Sequence, residues 1–194
     1  MQGLPNLNLL NDVLEFALDR FPLELCLPDG LEVKIRPLDQ YDEVAFQEFM
    51  LAIPSAERLF IKDRVSDKSL FHRWCNEIDY ESNLPLLAFD NDRLAAVGTL
   101  HQRHGGWRRN IGSVSVLPHP DYRGQGLVNA LIFELIDISR HDGLEKFEAE
   151  FIGEREDGIR VFLIAGFDEL VRLPAYAQDM EADYRDYTAA RYYL

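Results

Sequence analysis

The spacing of apolar side chains divides the chain into helices, strands and turns. Leu31, Val33 and Ile35 alternate with Glu32, Lys34 and Arg36 until Pro37 ends the run, which is the period-two pattern of a half-buried strand. Before it, residues 8–21 place Leu9, Leu10, Val13, Leu14, Ala17, Leu18 and Phe21 on one helical face, with Asn11, Asp12, Glu15 and Asp19 opposite. This amphipathic helix stops at Pro22, and Pro28-Asp29-Gly30 turns the chain into the strand. The helix is expected either to pack on the core or a second subunit, or to close over a cleft as a lid. Asp39 reads as the N-cap of a helix that carries Val44, Ala45, Phe49 and Ile53 and ends before Pro54. Ser66 or Asp67 opens another, on which Leu70, Phe71, Trp74, Cys75 and Ile78 recur at helical spacing; Trp74 and Cys75 read there as core.

Residues 84–89 and 94–102 are two strands joined by the turn-forming Asp90-Asn91-Asp92, hence an antiparallel hairpin. The stretch 101–110 is a polar hairpin tip with His101, His104 and three arginines, and no neighbouring Cys, Asp or Glu completes a metal ligand set. A strand at 111–117 follows, then a glycine-containing loop and a long apolar helix running to about residue 140 and stopped by His141-Asp142-Gly143. The remainder reads as a strand at 146–152, a helix at 155–165 closed by Gly166, and a last pair of strands at 167–173 and 188–194. No internal repeat or linker interrupts the series, and 194 residues suit one domain.

Composition narrows the function. A net charge of −14 and a pI near 4.7 argue against nucleic acid as a partner, whose recognition needs a basic footprint. The same acidity suits solubility and is compatible with a cationic amine substrate. Cys26 and Cys75 suggest neither a disulfide framework nor a metal site, so a reducing cytoplasm is the expected location. The first residues lack the basic region of a signal peptide, and no apolar run reaches the ~18 residues that cross a bilayer.

The chemistry concentrates between Ser113 and Gly126, in Ser-Val-Ser-Val-Leu-Pro-His-Pro-Asp-Tyr-Arg-Gly-Gln-Gly. Gly124 and Gly126 allow several backbone N–H groups to face one point, and the helix that follows adds the positive end of its dipole. Such a loop binds phosphate, and Arg123 adds a cation. The spacing Arg123-x-x-Gly126 ahead of an apolar helix resembles the coenzyme A loop of GNAT-family N-acetyltransferases, Arg/Gln-x-x-Gly-x-Gly/Ala; Val128 departs from it at the last position. The order of elements over residues 31–194 is also similar to that family, with residues 1–30 as an N-terminal helical extension. Leu27-Pro-Asp-Gly, Val33-Lys-Ile-Arg-Pro-Leu and the spacing from Gly143 through Glu150 to Gly166-Phe167 look most like bacterial protein-lysine acetyltransferase domains.

The resemblance implies an α/β (α+β) GNAT fold, with a mixed, mostly antiparallel sheet of about six to seven strands flanked by helices. The sheet would splay open between the strands at 111 and 146. It implies acetyl-CoA as cofactor, its pantetheine arm paired to Val116, Leu117 and Pro118 and its phosphates held by Arg123, Gly124, Gln125, Gly126, Leu127 and Val128. Pro118, which has no N–H, would give one bond fewer. It also implies an amine acceptor, on a small molecule or a protein lysine, and a possible homodimer. Where lysine-acetylating relatives place a basic glutamate this chain has Ser113, and where others place an acidic tyrosine it has Phe162. Glu148 and Glu150 share one face of the 146–152 strand, so Glu150 becomes the candidate base, ahead of His101 and His119. The alternative is a GNAT-fold module that binds acyl-CoA or a partner without turnover. The acceptor pocket would be shaped by the loop after Ile53, the 101–110 tip and the tail tyrosines Tyr176, Tyr184, Tyr187, Tyr192 and Tyr193.

Overall fold

A computed structural model of the chain describes residues 18–58, 68–153 and 155–194. Residues 8–17 of the anticipated first helix, and the Ser66 or Asp67 start of the third, lie outside the described residues, while Leu18 and Asp19 are helical. The elements are β1 (Leu23–Cys26), β2 (Glu32–Pro37), α1 (Glu43–Ala52), the single turn α2 (Ser55–Arg58), α3 (Lys68–Asn76), β3 (Asn83–Asp90), β4 (Arg93–His101) and β5 (Ile111–Pro118). They continue with α4 (Leu127–His141), β6 (Lys146–Ile152), α5 (Glu156–Ile164), β7 (Asp168–Gln178) and β8 (Tyr184–Tyr193).

All eight strands form one sheet in the order β1-β2-β3-β4-β5-β6-β8-β7. Every neighbouring pair is antiparallel except β5 and β6. The strand beyond the expected count is β1. It is only four residues long and follows Pro22, so its Leu23/Leu25 alternation is too short to stand out, yet Leu23 pairs with Ile35 and Leu25 with Val33. β7 and β8 are longer than the sequence suggests, because β7 continues through Pro174. A proline is tolerated on this outer strand, where the register slips between Leu173 and Ala177 and the Ala175 N–H donates to Asp186 instead (3.0 Å).

Each face of the sheet has its own core. On one, Leu127, Leu131, Ile132, Leu135 and Ile136 of α4, with Phe162 and Ala165 near α5, pack on Ile35, Leu86, Leu100, Val114 and Phe147. On the other, Phe46, Phe49 and Met50 of α1 and Phe71 and Cys75 of α3 pack on Leu87, Leu94 and Val97. Phe46, Phe71 and Trp74 meet at ring centroid separations of 5.5 to 6.1 Å. Val44, expected on the buried stripe, is 67% exposed. The buried face is 46/49/50/53, because a 3-10 turn at Gln40–Asp42 capped by Asp39 precedes the α-helix and rotates its start.

Two close packings position the middle of the sheet. A Cβ on Gly98 would meet Leu131 of α4 at 3.1 Å, and one on Gly112 would meet Leu100 and Leu144 at 2.9 Å. Glycine lets α4 and the 144–147 segment lie directly on β4 and β5.

Candidate active site

The parallel β5–β6 contact is brief: Ile111 pairs with Lys146, Gly112 with Phe147 and Ser113 with Glu148, and there the pairing ends. β5 stays on β4 as far as Pro118, and β6 stays on β8 as far as Ile152. The sheet therefore opens into a wedge between 114–118 and 149–152. His119 donates its N–H to Ala95 O on β4 (2.8 Å). Backbone groups alternate sides along a strand, so Leu117 also turns to β4, while Val116 and Pro118 turn into the wedge. Val116 offers it both an N–H and a C=O, and Pro118 a C=O only.

At the wide end of the wedge lies the glycine loop. Pro120–Tyr122 form a 3-10 turn whose N-cap is His119, its Nδ1 accepting the Asp121 N–H at 3.2 Å. The Tyr122 hydroxyl donates to Asp90 (2.8 Å), and Arg93 bonds Asp121, so the turn is fastened to the β3–β4 hairpin. Burial and the adjacent Arg93 cation push the His119 imidazole below its ordinary value, and it stands against Phe49 and Tyr122. Ranked after Glu150 as a candidate base in the sequence, His119 is a buried cap whose ring closes the gap between α1 and the turn. Gly124 (φ +80) and Gly126 (φ +86) then take left-handed conformations, and Gly126 is the N-cap of α4 with no side-chain capping bond. The first-turn amides of a 15-residue helix thus point at the loop. Val128, placed where the family keeps a small residue, turns back onto the α4 core. Arg123 Nη2 donates to both carboxylate oxygens of Glu57 of α2, 2.9 Å to each, and Arg155 lies 3.7 Å from the same carboxylate.

Beside the wedge, the sheet face that α1 and α3 cover at one end continues as a polar surface. One row crosses five strands: Asn83, His101, Ser113, Glu148 and Arg191 are successive partners. His101 Nδ1 is 2.7 Å from Asn83 Oδ1, which can only accept, so Nδ1 carries the proton. His101 Nε2 lies 3.5 Å from Ser115 Oγ. Glu148 is engaged by Arg108 from the 101–110 loop. Glu150, one step along the face, accepts a hydrogen bond from the Tyr187 hydroxyl at 2.9 Å. Burial, then that bond, push the Tyr187 phenol up to about 12, so it remains a donor at neutral pH. Tyr176 packs against Tyr187 with the rings tilted by 49° and their centroids 5.5 Å apart.

Residues 48–167 match the sequence model of the acetyltransferase (GNAT) family. The chain belongs to this family. GNAT acetyltransferases use acetyl-CoA. No curated protein matches the chain in sequence. Among solved structures it is similar to the GNAT domain of S. lividans PAT, at 17% identity over 89% of this chain and 96% of that one, TM-score 0.74. It is also similar to a putative acetyltransferase from Salmonella typhimurium solved with acetyl-CoA (23% identity, 84% and 94% covered, TM-score 0.71). A third is RimL, a ribosomal L7/L12 alpha-N-protein acetyltransferase in complex with CoA (12%, 84% and 94%, TM-score 0.73). At these identities the likeness shows the GNAT fold.

Against the GNAT pattern, the two departures from the usual proton carriers have clear surroundings. Ser113 is half-buried in the polar row, next to Glu148. Phe162 is packed edge-on against Phe151 and Phe167, with centroids 5.2 and 5.1 Å away. Glu57, Arg155, Asn83 and Arg108 were not singled out from the sequence as site residues; their partners lie far along the chain, and no local spacing marks them. Among the described residues no group of three or more His, Cys, Asp or Glu could hold a metal ion, and no helix is long and apolar enough to cross a membrane.

Proposed function

We propose that this GNAT protein transfers an acetyl group from acetyl-CoA to a primary amine, on a small molecule or a protein lysine, by direct attack with both substrates bound. The observation that carries this reading is the wedge whose one lip, β5, ends in a glycine loop at a helix N-terminus. The Val116 N–H and C=O and the Pro118 C=O form the edge to which the pantetheine arm pairs as an added strand. Leu117 braces that edge from the β4 side. The amides of Gly124, Gln125, Gly126, Leu127 and Val128, with Arg123, take the phosphates. The bound donor supplies a thioester-activated acetyl group.

The proton is handled by the chain. An amine enters over the polar face and meets Glu150, which takes the proton the nitrogen loses. Tyr187 orients that carboxylate, and Tyr176 backs Tyr187. Glu148 is held by Arg108 and serves to fix the wall of the wedge. Holding both reactants in one cleft contributes much of the acceleration in any aminolysis of this kind.

The second reading, a module that binds acyl-CoA without turnover, is favoured by Phe162, whose aromatic packing leaves no proton donor at that position. Titration calorimetry with acetyl-CoA, CoA and longer acyl-CoAs, followed by an amine screen that detects released thiol, separates the two. Micromolar binding with amine-dependent thiol release is the expected result; binding without release on any amine or lysine peptide selects the module; and no binding overturns both.

A further inference from the structure

Two arginines from opposite lips of the wedge share one carboxylate. Arg123 follows β5, and Arg155 follows β6 immediately ahead of α5. Both reach Glu57, at 2.9 and 3.7 Å. Glu57 sits in the single turn α2, so a third piece of chain is tied to the ends of both lips, beside the glycine loop. All three side chains are partly exposed, at 43%, 30% and 26%. Such pairs are weakly held and exchange readily. A phosphate offers these cations more charge and more acceptor oxygens than a carboxylate, and guanidinium groups match it in planar, forked geometry.

Resting on the acyl-CoA reading above, we propose that Glu57 and a phosphate of the cofactor compete for Arg123 and Arg155. Arg155 is then a cofactor-binding residue, and Glu57 is an internal counter-ion that cofactor entry displaces. Arrival of the cofactor thereby frees α2 from the mouth of the cleft.

The test is calorimetric titration of the full chain with CoA and with 3′-dephospho-CoA, with melting temperatures recorded for each variant. Glu57→Gln is expected to bind CoA about threefold more tightly, and Arg155→Gln about tenfold more weakly. Glu57→Asp, which keeps the carboxylate, stays near wild type. Glu156→Gln, which removes a neighbouring negative charge paired elsewhere, with Arg172, changes affinity less than twofold, roughly the scale of an exposed charge. If the Arg155→Gln loss is smaller with 3′-dephospho-CoA, the phosphate is the 3′ group; if it is equal for both probes, it is the pyrophosphate. Wild-type affinity in Glu57→Gln or in Arg155→Gln overturns this inference alone. Failure of both wild type and Glu57→Gln to bind CoA overturns the cofactor reading with it, whereas binding by Glu57→Gln alone supports the competition.

Discussion

At the wedge, Arg108 pairs with Glu148, and Glu150 accepts the hydrogen bond of the Tyr187 phenol, which keeps its proton at neutral pH and fixes the orientation of that carboxylate. Glu150→Gln is expected to lower turnover by about 10² while leaving CoA affinity unchanged, the usual scale for loss of a general base; unaltered turnover in a stopped-time assay would remove Glu150 from the mechanism. Tyr187→Phe should lower kcat/KM several-fold, with acetyl-CoA binding again unaffected. His119 makes a different kind of prediction. Its folded-state value is depressed below that of the unfolded chain, so protonation favours unfolding, and its contribution is complete above the ordinary histidine value of 6.5 and is lost as pH falls below that towards the depressed folded value. His119→Asn keeps an acceptor for the Asp121 N–H, and its melting temperature should therefore fall less steeply than wild type between pH 7 and 5.

The elements explain how much was legible. The loop from Arg123 to Val128 announces itself because glycine spacing, a left-handed backbone and a helix start are all local. Gly126→Asp places a side chain on a residue at φ +86 and a carboxylate among the candidate phosphate donors; calorimetry should show CoA binding lost. Trp74 and Cys75 were readable as core from helical spacing, and the Cys75 thiol, pushed up by burial to about 11, is inert accordingly. What the sequence concealed is non-local or short: β1, the extension of β7 beyond Pro174, and ion pairs such as Arg108 with Glu148 and Arg123 with Glu57, 40 and 66 positions apart. Nor does a sequence reveal that Gly112 is needed for closeness and not for a turn. Gly112→Ala must push a methyl into Leu100, Leu144 and Phe147, which should cost about 1–3 kcal/mol in denaturant unfolding.

At the scale of the whole molecule, the acidic surface and the cofactor loop divide the labour of recognition. A chain of net charge −14 repels an anionic ligand at a distance, so on the reading proposed above the attraction for the cofactor is expected to come from Arg123, Arg155 and oriented amides within the mouth. On the same reading, the overall charge favours the approach of a cationic amine. Beyond chemistry, the brief β5–β6 contact has a mechanical meaning. Strands β1 to β5 form one leaf and β6, β8 and β7 another, and the backbone seam between them is three residue pairs long. Beyond that seam the leaves are joined by the packing of α4 and α5, by the Glu145 N–H bond to Asn110 O, and by side-chain pairs such as Arg108 with Glu148 and Arg155 with Glu57. With three residue pairs at the seam, few backbone bonds fix the angle between the two leaves. On the acyl-CoA reading proposed above, the width of the cleft is expected to follow the thickness of the acyl group inserted, which a calorimetric series of acyl-CoAs of increasing length would check.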